Sequence, residues 1–419
     1  MASRHQQLRI AIRKFGPFES ALARQWQSFE HRHRTGLQFE AVPLDLHPLY
    51  ESLFAPNALR QSDWDLALLS TDWLAEAADS HALLDLAPLI GQSPPAGYPH
   101  AWSDSLLRLQ RFGNRVLGLP FHDGPECLIY RKDLFEDPAH RARFAQQFGE
   151  ALDVPRTWHQ FHRIARFFTR PAQSLYGAAF AAFPDGHNTV YDFCLQLWTR
   201  GGELFDASGC LLLDTPLARQ ALDFYRAILN DPAAIHPGSR AFDSVQSGAA
   251  FAAGQVAMMV NWFGFASMSE TVPESKVRHC VAIAPIPSDA GPQVSLNAYW
   301  ILGIPSGSPH PQLAWQFLCH SASPEMDKLL TLEGGIGCRK STWSDAEVNA
   351  AIPFYHRLAA LHQGARELPR LRNWSQLAAI IDRMVLDAID TPEPTAAILR
   401  RAQARAAKEA KPAAAKICT

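Results

Sequence analysis

Gly254-Gln-Val-Ala-Met-Met-Val-Asn-Trp-Phe-Gly264 sets a short apolar run, residues 256–260, between two glycines and ends it in a polar-aromatic step. A run of this length suits a strand buried in a parallel sheet. Open α/β sheets take their ligands beyond the carboxyl ends of such strands. Asn261 stands at that end with a side chain that both donates and accepts, and Trp262 adds a flat apolar face. A sugar presents the same division, with hydroxyls around the rim and C–H groups on its faces. The competing reading of Trp262 is a core ring that happens to follow a strand.

Outward from this run, strand and helix patterns alternate. Residues 8–12 alternate as a strand, Phe15-Gly-Pro-Phe18 reads as a tight loop, and residues 19–34 read as a helix with Leu22, Trp26 and Phe29 on one face. Residues 37–44 and 65–70 are further strands around a helix at 49–60, and Thr71-Asp72-Trp73 follows the third strand. This order predicts parallel pairing with right-handed crossovers. Strands are also expected at 115–121, 127–130, 175–180, 277–286 and 299–304. Thr157 with Gln160 forms a capping-box pattern, and Thr215-Pro216 starts another helix. Helices are expected at 311–320 and 324–332, and from 344 onward the pattern is helical almost without strands, ending in a frayed tail at 411–416.

Composition limits the function classes. A chain of 419 residues predicts two or three domains, and 47% apolar with 19% charged residues supports a large packed core. A formal charge of −2 gives no reason to expect nucleic acid or an anionic membrane surface. No window reaches the roughly 18 apolar residues of a membrane-spanning helix. Residues 1–8 show no apolar targeting segment, so the expectation is either a cytosolic protein or one whose export signal has been removed. The seven cysteines, at 127, 194, 210, 280, 319, 338 and 418, have neither redox nor zinc-site spacing.

Six segments in order carry a resemblance. Leu128-Ile-Tyr-Arg-Lys-Asp-Leu-Phe135 is similar to a "YNKDLF" strand-to-helix step, and Val154-Pro-Arg-Thr-Trp-His-Gln-Phe161 to "PPKTWDEF". Gly201-Gly-Glu-Leu-Phe-Asp206 resembles "GGxLFD", and Phe251-Ala-Ala-Gly-Gln-Val-Ala-Met-Met259 resembles "FxxGxAAM". Ser308-Pro-His-Pro-Gln-Leu-Ala-Trp-Gln-Phe317 is similar to "SKNPEAAWEF", and Gly337-Cys-Arg-Lys-Ser341 to "PxRKS". Together they resemble the extracellular solute-binding proteins of sugar ABC importers, the maltose-binding-like group. The resemblance implies an α/β chain with the two-lobed, hinged type II periplasmic-binding-protein fold and a helical C-terminal segment. It places residues 1–121 and 280–323 in the first lobe and 122–279 and 324–419 in the second. It implies a monomer outside the cytoplasm, with a small carbohydrate ligand, ABC transporter membrane subunits as partners and no cofactor. Ligand would shift the lobes toward a closed state.

The expected ligand contacts lie in loops at strand ends. From the first lobe come Phe15, Phe18, Asp72, Trp73, His122 and Asp123; Asn261, Trp262, Tyr299, Trp300 and Arg339 complete the set. Carboxylates accept paired hydroxyls and arginine donates a planar fork. Gly334-Gly-Ile-Gly337 before Arg339-Lys340 lacks the glycine that a phosphate loop places directly before its lysine. His31 with His33, and His159 with His162, lack a third ligand at metal spacing. A charged sugar derivative held by Arg339 or Arg131 is a second reading. A carbohydrate-processing enzyme built on Asp123 and Glu126 is a third.

Overall fold

The computed structural model describes residues 6–61 and 64–409; the tail expected at 411–416 and Cys418 lie outside them. Gln7–Arg13 (β1), Gln38–Leu44 (β2) and Leu66–Ser70 (β3) are joined by helices Gly16–His33 and Leu46–Phe54. β1 runs parallel to both β2 and β3, as the alternation predicts. Every residue of β3 is buried, the signature of a strand covered on both faces. The helix 16–33 begins a turn earlier than its periodicity suggests. Phe15 is its N-cap, so Phe18 belongs to the first helical turn rather than to a loop. Phe18, Leu22, Trp26 and Phe29 are buried along it, and Trp26 stacks on Phe39 of β2 at 5.2 Å.

Leu119–His122 (β4) ends the first passage through this sheet, and Glu126–Arg131 (β5) begins a second sheet. Tyr176–Ala179 (β6), Val256–Trp262 (β7) and Val281–Ala284 (β8) complete the second sheet in the order β8-β5-β7-β6. The run at 256–260 is indeed a buried strand. It pairs parallel with β6 but antiparallel with β5, so the sheet around it is mixed rather than parallel. Trp300–Gly303 (β9) returns to the first sheet, antiparallel to β3 and β4, in the order β2-β1-β3-β9-β4.

These pairings shift the expected lobe limits. Val281–Ala284 pairs with β5 in the second sheet, so a first-lobe segment starting at 280 begins too early. The sequence shows a strand there, but a strand's partner is a non-local choice. Helix Pro324–Leu332 packs on helix Gly16–His33, and Ile336, Trp343, Val348 and Leu358 share a core with β1 and β3. Only the later helices, Trp374–Asp390 and Thr395–Glu409, join the second body, where they pack on Asn188–Trp198 and Pro216–Leu229.

The chain passes between the sheets at 123–125, at 285–299 and again before residue 374. Two of these connections pair with each other, Ser295–Leu296 lying parallel to Ala365–Arg366. Ser295 Oγ also donates to the carbonyl of Glu126, which ties in the first connection. Gly124 sits in that connection at φ 124°, a conformation that an L side chain rarely adopts.

Candidate ligand-binding cleft

Strand ends from both sheets face one shared cavity. From the first sheet come Arg13 at the end of β1, Ser70 at the end of β3, His122 at the end of β4, and Trp300. Phe15 and Phe18 line it from the helix that follows β1. From the second sheet come Trp262, closing β7, and Gly264 and Phe265 just beyond it. The remaining wall is 185–191 ahead of and within helix Asn188–Trp198, together with 243–245 at the start of helix Ser244–Ala252.

The aromatic side is continuous. Phe15 meets Phe18 at 5.0 Å, Phe265 at 6.1 Å and His122 at 6.2 Å, all edge to face. Trp262 meets Tyr191 edge to face at 5.6 Å and 85° and is part of the cavity lining. His122 is the oriented donor. Its Nδ1 accepts the Ile336 N–H at 2.9 Å, so the neutral ring carries its proton on Nε2. Burial drags its pKa down to about 3, against the pull of the adjacent Asp123 charge. The ring is therefore neutral at any physiological pH. Asp123 is 2% exposed; its Oδ2 accepts from His362 Nε2 at 2.7 Å, and His362 lies flat on Trp343 at 5.0 Å.

Three pairs bridge the two bodies around this space. Arg13 donates to Asp243 at 3.2 Å, Tyr191 donates to Asp72 Oδ2 at 2.9 Å, and the Trp73 indole N–H donates to His187 Nε2 at 3.3 Å. His187 can accept there because its Nδ1–H is spent on the Asp185 carbonyl at 2.8 Å. These contacts tie the two bodies together around the cavity.

Of the residues expected to touch ligand, Phe15, Phe18, His122, Asp123, Trp262 and Trp300 line the cavity. Asp72 and Trp73 line a neighbouring recess that shares Asp185 and His187 with it; they brace the lobes instead of facing the main space. Asn261 is turned inward. Its Nδ2 donates to Ser247 Oγ at 2.9 Å and to the Ser244 carbonyl at 3.1 Å, and its Oδ1 accepts the Trp262 N–H at 2.8 Å. It fixes the backbone under Trp262. Tyr299, 1% exposed, directs its hydroxyl at the Leu106 carbonyl and Gln110 Oε1. Arg339 lies over the Trp102 ring at 4.5 Å and donates to the carbonyls of Ala322 and Ala96 at 2.7 and 2.8 Å, inside the first body. Arg131 is held by Asp133 at 2.6 Å.

Glu126 opens onto a different cavity from Asp123, on the far side of the connections between the sheets. Burial, with the nearby Asp192 charge, lifts its carboxyl well above the ordinary range. The pair is not arranged as facing acid and base. His162 bonds to Asp231 at 2.6 Å. Among the described residues no group of three or more His, Cys, Asp or Glu has metal-holding geometry, and no helix is long and apolar enough to cross a membrane.

Two α/β bodies, each offering strand ends to one shared cavity and joined by crossing segments, define a two-lobed binding protein. The chain belongs to the bacterial extracellular solute-binding protein family, whose model matches residues 50–328. Similar solved structures include a solute-binding protein of Agrobacterium radiobacter K84 in complex with ribitol (TM-score 0.85, 22% identity, 96% of this chain and 98% of that one). Another is maltose-bound MalE3 of T. maritima (TM-score 0.83, 22% identity, 96% and 99%). A third, from Agrobacterium vitis S4, holds D-mannitol (TM-score 0.84, 19% identity, 97% and 99%). A probable amino-acid ABC transporter periplasmic-binding protein of Sinorhizobium fredii is 24% identical over 375 residues, 87% of this chain and 82% of the relative.

Proposed function

We propose that the protein captures a sugar or sugar-like polyol between its lobes and delivers it to the membrane subunits of an ABC importer. The observation that carries this reading is the cavity wall itself. Trp262 and Trp300, each closing or opening a strand of a different sheet, line it with indole rings, while His122 adds an oriented Nε2–H donor. That combination matches C–H faces and rim hydroxyls. The ligands named for the similar structures, ribitol, mannitol and maltose, support it. No bond is made or broken in this reading, since the two carboxylates that would have to cooperate line separate cavities. Arg339 and Arg131, on which an anionic ligand would depend, are committed elsewhere. The family's extracellular character and the periplasmic relative support a site of action outside the cytoplasmic membrane.

Thermal denaturation against a panel of monosaccharides, disaccharides and polyols tests the reading. Ligand at about 100 times its dissociation constant adds roughly 2.7 kcal/mol of stability. A panel without any such shift sinks the proposal.

A further inference from the structure

Five rings run in unbroken edge-to-face contact from one sheet to the other along one flank of the cavity. Trp300 of β9 meets Trp73 at 5.6 Å and 89°, and Trp73 meets His187 at 5.9 Å and 74°. His187 meets Tyr191 at 6.0 Å and 77°, and Tyr191 in turn meets Trp262 of β7. Two hydrogen bonds reinforce the row where it crosses between the bodies, from the Trp73 indole to His187 and from Tyr191 to Asp72.

The space between the bodies continues beyond this row. The neighbouring recess is lined by Tyr50, Trp73 and Glu76 from the first body and by Trp374 and Ser375 from the second. Of the two spaces, Asp72 and Trp73 border only the recess, Tyr191, Trp262 and Trp300 border only the cavity, and His187 borders both. The rings and their hydrogen bonds therefore stand between the two spaces as a partition. A ligand reaching from the cavity into the recess has to part His187 from Trp73 or Tyr191 from Asp72, and the carboxylate makes the second bond the costlier to lose. Leaving past Arg13 and Asp243, a further bridge within the lining, separates two opposite charges.

We infer that the solute is a single sugar unit, or a polyol of that size, and that the ring partition sets this limit. The inference rests on the sugar-or-polyol reading and adds a size to it. Trp73 is a positioning residue here: it borders the recess and acts on the solute through His187.

The test is calorimetric titration of the full chain with single units and the two-unit compounds that contain them: glucose with maltose and trehalose, galactose with lactose and melibiose, mannose with mannobiose, sorbitol with maltitol. At least one single unit binds, and each of its two-unit partners binds about tenfold or more weaker, roughly 1.4 kcal/mol. His187→Ala removes the ring that both spaces share and brings the pair to within about threefold. Trp73→Phe keeps a ring but deletes the N–H donated to His187; it narrows the same ratio and serves should His187→Ala fold poorly. Two-unit compounds that bind as tightly as their single units overturn the size inference and leave the sugar reading standing. A ratio that neither variant moves overturns the partition as its cause. Failure of every compound overturns the sugar reading and this inference with it.

Discussion

Tyr191 donates its hydroxyl hydrogen bond to Asp72 Oδ2 across the boundary between the two bodies, at 2.9 Å. Asp72 ends up there because β3 stops at Ser70 and the chain turns at once; Tyr191 lies in the first turn of helix Asn188–Trp198. The contact exists only when the lobes are together, so its energy belongs to closure. Tyr191→Phe is expected to weaken ligand binding by about 1–3 kcal/mol, the range for a lost hydrogen bond to a charged group. Small-angle scattering of the unliganded variant would show a larger radius of gyration. An unchanged radius together with unchanged affinity means the pair contributes nothing to closure.

Trp262→Ala removes the indole face that the second sheet presents to the cavity. The loss expected is about 1–3 kcal/mol of ligand affinity, the range seen for aromatic stacking. Titration calorimetry on a variant that keeps its native circular dichroism measures it. Retained affinity would assign the ring to packing alone.

Arg339→Ala should behave in the opposite way. The variant loses two charged hydrogen bonds to carbonyls and the stacking on Trp102. A fall in stability of about 2–4 kcal/mol is expected in denaturant titration, with ligand affinity unaltered in the folded fraction. A large change in affinity with normal stability would return Arg339 to the ligand site.

Stability should fall as pH rises from about 4 to about 7. Burial pushes the Asp192 carboxyl up to about 7 and, with the nearby Asp192 charge, lifts Glu126 well above the ordinary carboxylate range. Both groups hold protons in the folded state that the unfolded chain releases near pH 4. Their contribution is therefore fully present below about pH 4 and is lost as pH climbs through the folded value. Asp192→Asn removes one titrating group while keeping an acceptor for the Tyr225 hydroxyl. Relative to the parent, this variant gains stability between about pH 4 and about pH 7, with a slope of at most about 1.4 kcal/mol per pH unit for one proton. Parallel curves for the two proteins would refute the assignment.

Much of the architecture can be read from local pattern. The glycine-bounded run at 256–260, the capping box of Thr157 with Gln160 and the strand-helix alternation of residues 8–70 all describe short-range preferences, and the fold keeps them. The site is less legible, because lining a cavity depends on partners distant in sequence. Tyr299 and Trp300 are adjacent, and of the two only Trp300 lines the cavity; strand alternation separates them but does not say which points in. Arg339 is drawn inward by Trp102, Ala96 and Ala322, which its own segment does not reveal. Arg13 closes β1 and falls under the strand-end rule, yet its charge within an apolar strand gives no hint of Asp45 and Asp243. The helix start at Asp243 had a visible signal in Gln246, three residues on, whose side chain completes a capping box. The 185–191 wall had none, since His187 and Tyr191 acquire their roles only by meeting Trp73 and Asp72.

The tie among the connecting segments bears on how the molecule can move. Ser295 donates its N–H to the Gly364 carbonyl and its hydroxyl to the Glu126 carbonyl, which couples the links to one another. Links tied to one another in this way favour a common swing over independent movement of each. A transporter reading the angle between the lobes would then need only that one variable to tell a full carrier from a vacant one.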